Sequence, residues 1–93
     1  MIIRYLVKDK KRLLEEFDKY AQTAVGLPKD IEDLTFSLDT PNPEFYILNI
    51  FGATVVISRD PIVISIDMAG KIKDINRAKS KLEKMTGVEI TRE

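Results

Sequence analysis

The chain has 93 residues, of which 44% are hydrophobic and 32% charged, and this balance indicates one globular domain spanning residues 1–93. Fifteen basic residues balance fifteen acidic residues, so the net charge provides no general attraction to nucleic acid or to an anionic membrane. The absence of cysteine and histidine excludes disulfides, thiolate or imidazole metal sites, and catalytic triads built on either residue. Magnesium or calcium held by carboxylates stays compatible with this composition, but we expect a non-catalytic protein without cofactor or metal.

The first third of the chain predicts a strand followed by a long helix. Residues 1–7 (MIIRYLV) are rich in β-forming residues and apolar on both faces except at Arg4, which is typical of a strand inside a sheet. Asp9 is a typical helix cap, and the helical spacing of the apolar residues that follow predicts a helix over 10–25. Gly26 is a typical helix terminator, so the helix is expected to stop there.

The middle of the chain predicts a meander of four strands. Residues 29–33 read as an acidic connector, and residues 34–39 (LTFSLD) alternate apolar and polar residues as a strand with one buried side does. Two prolines one residue apart predict a turn at 40–43. The run after that turn divides into three further predicted strands, at 45–51, 54–58 and 62–68.

Turn signals separate these last three strands. Gly52-Ala53 has the Gly-X form of a two-residue type II′ turn, in which glycine adopts the positive φ of the first position. Arg59-Asp60-Pro61 marks a second reversal, because proline donates no ladder hydrogen bond. In the last strand the alternation predicts one face made of Ile62, Ile64, Ile66 and Met68.

The last third of the chain predicts a second helix. Ile75, Ala78, Leu82 and Met85 recur at helical spacing and form its apolar stripe. We place the N-cap at Asp74, because a start at Lys71 would put that lysine on the apolar face. Gly87 terminates the helix, and residues 88–91 form either a short edge strand or a loose tail.

The predicted order of elements is β-α-β-β-β-β-α, with an optional final strand. Both helices must cover the same face of the meander to bury their stripes, so we predict a two-layer α+β fold with a five- to six-stranded antiparallel sheet. This order resembles one half-repeat of the TATA-box-binding protein fold, and the stretch from Phe51 to Met85 is similar to the closing hairpin and helix of such a repeat. A ferredoxin-like fold is the alternative, although it has only two strands between its helices.

The predicted fold leaves one face of the sheet open, and several of its residues are apolar. An uncovered apolar face is typical of an interaction surface, so we expect a homodimer formed through this face or through an edge strand, with another protein as a further possible partner. The predicted interface residues are Phe45, Ile47, Asn49, Phe51, Val56 and Val63. The resemblance to the TATA-box-binding protein fold implies a different use, in which such a face presses on the minor groove of DNA.

Charge is distributed unevenly along the chain. Five carboxylates and no basic residue lie between Asp30 and Glu44, which makes a local negative edge. Four basic residues follow helical spacing on the solvent side of the second helix, where they form either a simple solvated face or a phosphate-binding stripe. With Arg4, the predicted basic stripe comprises Lys73, Arg77, Lys81 and Lys84. Nucleic-acid binding by this stripe is the alternative function, and complementary charge patches that orient a protein partner are the other reading.

Acidic pairs offer little for catalysis or metal binding. Only Asp39 and Asp67 are predicted to share a sheet face at strand ends, and we expect no catalytic or metal role for them.

The chain starts without the basic-then-apolar order of a signal peptide and has no apolar run long enough for a membrane span, so we expect a cytoplasmic protein without membrane partners. Abundant Ile, Lys and Glu is typical of thermophile proteins.

Overall fold

A computed structural model describes residues 1–22, 31–35 and 44–93, and the side chains of all of these except 20–22 and 32–35. These residues form two helices and six strands, in the predicted order and with the final strand present. Their bounds are β1 Ile2–Val7, α1 Lys10–Gln22, β2 Ile31–Thr35, β3 Phe45–Ile50, β4 Ala53–Ser58, β5 Ser65–Ala69, α2 Ile72–Thr86 and β6 Ile90–Arg92.

All strands belong to one antiparallel sheet with the order β2-β3-β4-β5-β1-β6. The four consecutive strands β2 to β5 form the expected meander. β1 lies between β5 and β6, so the strand that is apolar on both faces is interior, as its composition predicts. The predicted two-layer α+β fold is confirmed.

The core lies between one face of the sheet and the two helices. Tyr46 and Leu48 from β3 are fully buried, and the ring centroid of Tyr46 lies 5.6 Å from that of Phe17 in α1. These positions alternate with outward residues, because successive side chains of a strand point to opposite faces. The other large core side chains include Leu13, Ile50, Val55, Ile57, Ile66, Met68, Ile75, Leu82 and Ile90.

The hairpin between β3 and β4 differs from the predicted turn. Ile50 pairs with Ala53, so the two loop residues are Phe51 and Gly52, with φ angles of 51° and 87°. Positive φ at both central positions defines a type I′ turn, whereas the predicted type II′ turn has Gly52 in the first position. The register of the buried side chains decides the turn, and Phe51 therefore leaves the predicted strand and adopts the left-handed conformation.

The last strand of the meander begins at Ser65, three residues later than predicted. Ile62 and Ile64 are 86% and 59% exposed, so the expected continuous isoleucine face is wrong at these two positions. Asp60 explains the delay: its side chain accepts a hydrogen bond from Ile62 N–H at 2.9 Å, and its carbonyl accepts one from Val63 N–H at 3.0 Å. These bonds extend the turn after proline and postpone sheet pairing.

The start of β2 also differs from the prediction. β2 begins at Ile31, which is buried and pairs with Ile50, so residues 31–33 are strand and not connector. The remainder of that predicted strand, 36–39, the turn at 40–43 and the predicted helix end at 23–26 lie outside the described residues.

The second helix begins earlier than predicted. α2 starts at Ile72 with Lys71 as its N-cap residue, and Lys71 is exposed because it lies before the apolar stripe begins. Asp74 lies in the first turn, where a carboxylate interacts favourably with the helix dipole. Gly87 ends the helix in the left-handed conformation, as predicted, and β6 then pairs with β1. Neither helix in the described part of the chain combines the length and apolar character needed to cross a bilayer.

The first turn of α1 is basic, which is unfavourable for the helix dipole. Asp9 caps this end as predicted, because its carboxylate accepts the N–H of Arg12 at 3.2 Å. The guanidinium of Arg12 lies beside Gly87, at the C-terminal end of α2, where a positive charge is favourable. The charge that opposes one helix dipole therefore complements the other.

The revised start of β5 gives a direct test. We expect Ile66→Ala to lower the free energy of unfolding by about 2–5 kcal/mol, because Ile66 is 1% exposed in the core. Ile62→Ala, the same change in the same predicted strand, should alter it by no more than about 0.5 kcal/mol. Urea unfolding monitored by circular dichroism measures both. Equal losses for the two variants would contradict the observed strand boundary.

Candidate functional site

The open face of the sheet brings together four of the six predicted interface residues. Phe45, Ile47 and Asn49 of β3 alternate with the buried residues of that strand, and Val56 of β4 lies opposite Ile47. Phe45 and Val56 are each 40% exposed. Ile2 of β1 lies on the same face and is 74% exposed, and it is not among the predicted interface residues.

Arg4 also lies on this open face, where it is paired with acid. The pairing of β1 with β5 puts Arg4 opposite Asp67, and Arg4 Nε donates a hydrogen bond to Asp67 Oδ1 at 3.0 Å. Glu93 lies 4.0 Å from the same nitrogen. The hydrogen bond to Asp67, followed by the two negative charges, raises the pKa of Arg4. Its charge is thus matched within the chain.

The other two predicted interface residues lie elsewhere. Phe51 occupies the β3–β4 turn and packs at the border of the core, next to α2. The guanidinium carbon of Arg77 lies 4.5 Å from the centroid of its ring, which is cation–π distance. Val63 lies in the connection between β4 and β5, outside the strands. The strand assignment failed at both positions because each belongs to a turn.

The basic stripe and Arg4 are on opposite sides of the sheet. α2 packs on the covered face, and its Lys73, Arg77 and Lys84 point to solvent. Arg4 points from the open face, so the grouping of Arg4 with the stripe is not realised. Alternation of side chains across β1 causes the separation, since Tyr5 beside it is buried in the core.

The stripe borders a pocket on the surface of α2. The volume of the pocket is about 500 Å³, and its described lining contains three cations and no carboxylate. The lining residues are Phe51, Asn76, Arg77, Ser80, Lys81 and Lys84. We call this concavity the Phe51 pocket.

A buried polar cluster joins α1 to the sheet and was not predicted. Asp18 is 8% exposed, and its Oδ1 accepts hydrogen bonds at 2.5 Å from the Tyr46 hydroxyl and from Arg59 Nη2. Burial and the hydrogen bond to Asp18 raise the pKa of Tyr46 far above its ordinary range. One sequence signal was available: Asp18 follows Leu14 by four residues and so lies on the apolar stripe, where a carboxylate requires a partner.

Lys10 fixes the connection between β4 and β5. Its Nζ donates hydrogen bonds to the carbonyl oxygens of Asp60, at 2.6 Å, and of Val63. Burial lowers the pKa of Lys10. A cleft of about 620 Å³ separates α1 from this connection. The cleft is lined by Lys10, Lys11, Leu14, Glu15, Asp18, Arg59, Pro61 and Ile64.

The acidic pair considered for catalysis is not assembled from described residues. Asp67 is engaged by Arg4, and Asp39 lies outside the described residues. Within residues 1–22, 31–35 and 44–93, no three acidic side chains lie close enough together to hold a metal ion.

Comparison of the chain with protein-family models, with curated proteins and with solved structures finds no match. The likeness to a half-repeat of the TATA-box-binding protein fold and the ferredoxin-like alternative therefore stay predictions based on element order. The chain forms a small two-layer α+β domain, and no element in residues 1–22, 31–35 and 44–93 covers the second face of its sheet.

The polar cluster of Asp18, Tyr46 and Arg59 predicts how the free energy of unfolding changes at alkaline pH. Because the native state raises the pKa of Tyr46, it keeps a proton that the unfolded chain releases near pH 10.0. The stabilisation is thus complete below that pH and is lost as the pH rises above it. Tyr46→Phe should cost about 1–3 kcal/mol at neutral pH, because Asp18 loses a donor. It should also flatten the alkaline decline of the free energy of unfolding.

Urea unfolding at a series of pH values measures both effects. A Tyr46→Phe protein whose free energy of unfolding declines above pH 10.0 as steeply as that of the native protein would show that another group controls this range.

Proposed function

We propose that this chain is a small non-catalytic assembly module that forms a homodimer through its open sheet face. The observation that carries the proposal is the set of exposed apolar side chains there, with Ile2 at 74% and Phe45 and Val56 each at 40% exposure. Both helices lie on the other face, and no described element covers these side chains. A grouped apolar surface of this kind gains free energy when a partner removes it from water.

The size of the open face supports a dimer. Six strands spaced about 4.8 Å apart and rising about 3.3 Å per residue give a face of roughly 400–500 Å² in projection. Side chains protrude from the sheet, so the accessible area of the face is larger than its projected area. It approaches the area that each partner buries in an ordinary interface, which is about 800 Å². An area at or below this ordinary size supports a reversible homodimer, not a permanent one.

The charges of the open face also favour a second copy. Arg4 is flanked by Asp67 and Glu93, so the described side chains of the face produce no strong potential of one sign. Two copies can approach without like-charge repulsion, and Arg4 of one copy can reach acidic groups of the other. A strongly acidic or basic partner would gain nothing from such a surface. The matched charge also weakens the alternative in which this face binds DNA phosphates.

The edges of the sheet are less suited to dimer formation. β6 is only three residues long, and the pairing of β2 with β3 shifts register between Glu32 and Thr35. Short or irregular edge strands offer few aligned backbone groups to another chain. We therefore assign the interface to the face of the sheet and not to an edge strand, the other option considered from the sequence.

A single charge introduced on the open face should dissociate the dimer. We expect the native protein to show twice the monomer mass at high concentration and to dissociate on dilution. Val56→Glu should remain a monomer across the same range, because a carboxylate would be buried without a partner. Analytical ultracentrifugation measures both distributions.

Ile62→Glu is the matched control, since Ile62 is 86% exposed in the β4–β5 connection. It places the same charge on the surface but away from the sheet face, and it should leave the dimer intact. A native protein that is monomeric at every concentration would exclude the homodimer, and dissociation by Ile62→Glu would move the interface to the connection. A different protein bound at Val56 by a monomeric native chain would replace the second copy as the partner.

A further inference from the structure

The Phe51 pocket lies on the side of the molecule that the proposed dimer leaves free. We propose that it binds single-stranded nucleic acid, with the cations of α2 contacting phosphates and the Phe51–Arg77 stack supporting a base. This inference is independent of the dimer, because α2 and the open sheet face are separated by the sheet itself.

Three of the α2 cations, Lys73, Arg77 and Lys84, are available for an anionic ligand. Within the described part of the chain, Lys73, Arg77 and Lys84 form no ion pair with a carboxylate. The two acidic residues of α2, Asp74 and Glu83, do not line the pocket. Glu83 binds Lys79 at 2.9 Å, and its pKa is lowered mainly by that hydrogen bond. Asp74 lies against Gly52, where an added Cβ would meet its carboxylate at 3.2 Å.

The extent of the charged surface favours a chain of phosphates over one phosphate group. Lys73 and Lys84 lie at the two ends of the stripe, and a helix rises about 1.5 Å per residue, so the cations extend along roughly 16 Å. Ser80 and Asn76 add neutral hydrogen-bonding groups between them. A polyanion can contact several of these groups at once, and each contact releases counterions.

The aromatic residue distinguishes this surface from an ordinary solvated helix. Phe51 is a bulky residue with φ of 51°, and a left-handed conformation costs such a residue about 1–2 kcal/mol. Asn, Asp or Gly would meet the demands of a type I′ turn better. Phe51 is less favourable in the turn, but its ring lies under the guanidinium of Arg77, with 4.5 Å between the ring centroid and Arg77 Cζ. This stack presents a planar cation to solvent. Unstacked bases bind on aromatic rings and on guanidinium planes.

A single strand fits this arrangement better than a duplex. The bases of a duplex are already stacked on each other, so a planar group such as the Phe51–Arg77 stack gains contact only with bases that are splayed out. The pocket is also about 500 Å³ in volume, within the range of sites that hold small planar ligands. We therefore expect a preference for single-stranded oligonucleotides over duplexes of the same sequence.

The test uses fluorescence anisotropy of a labelled oligothymidylate, with the full chain at low salt. The native protein should bind it, and Arg77→Glu with Lys84→Glu should weaken binding at least tenfold. The matched control is Lys11→Glu with Arg92→Glu, which makes the same change in net charge at exposed positions away from the pocket. The control should bind within about threefold of the native protein. Equal losses of affinity in the two double variants would show that net charge alone controls binding, and this would overturn the proposed site.

Phe51→Asn tests the stacking contribution without harming the turn, because Asn adopts the left-handed conformation readily. It should weaken binding about fivefold or more, as loss of one stacked base does. Unchanged affinity in this variant would remove Phe51 from the site. Salt titration of the Arg77→Glu with Lys84→Glu variant supplies a third readout. Loss of two phosphate contacts should make the slope of the logarithm of the binding constant against the logarithm of salt concentration shallower by about 1.4.

Two comparisons decide the class of ligand. A labelled duplex of the same length should bind more weakly than the single strand, and equal or tighter duplex binding would overturn the single-strand assignment. Polyglutamate at equal charge should compete poorly with the oligothymidylate. Equal competition would assign the surface to an acidic protein partner, and absence of oligothymidylate binding at low salt would exclude the proposal altogether.

Discussion

One-sided burial of the sheet is the constraint on which the rest of this structure depends. Tyr46, Leu48 and Ile50 alternate along β3, and Val55 and Ile57 continue the same face on β4, all with no exposed side-chain surface. A shift of one residue in either strand would turn this set towards water, so the register is strongly fixed. The same alternation determines which side chains remain outside, and thus creates the open face. The core and the candidate interface are two results of one pattern.

Periodicity predicted most of the fold but not the places where the chain leaves regular structure. The order of elements, α1 and the two faces of β3 follow from spacing and turn residues, and the interior position of β1 follows from its apolar composition. The turn at Phe51 and the late start of β5 do not, because each depends on a specific contact. Phe51 is displaced from its strand by the pairing of Ile50 with Ala53, and Asp60 holds the residues after it in a turn. Local hydrogen bonds and ladder register override the alternation at these positions.

The sites were only partly predictable for a related reason. Sequence spacing places Ile47 and Val56 on one surface, but it cannot tell that Arg4 meets Asp67 there, since those residues are far apart in the chain. The basic first turn of α1 is also explained only in three dimensions. Lys10 binds backbone carbonyls of the β4–β5 connection. A charge that is unfavourable in its own helix thus has a structural role between elements.

The interior position of β1 has a consequence for how the chain folds. Its neighbours come from distant parts of the sequence: the separation is 63 positions for Arg4 and Asp67, and 81 for Lys8 and Glu89, which lie directly beside β1 and β6. Closing such long loops costs entropy before any contact is gained, so topologies of high contact order fold slowly. The local hairpin of β3 and β4 is expected to form first and β1 to dock late. Until then β5 presents an unpaired edge, which makes the incomplete sheet the species most prone to aggregation.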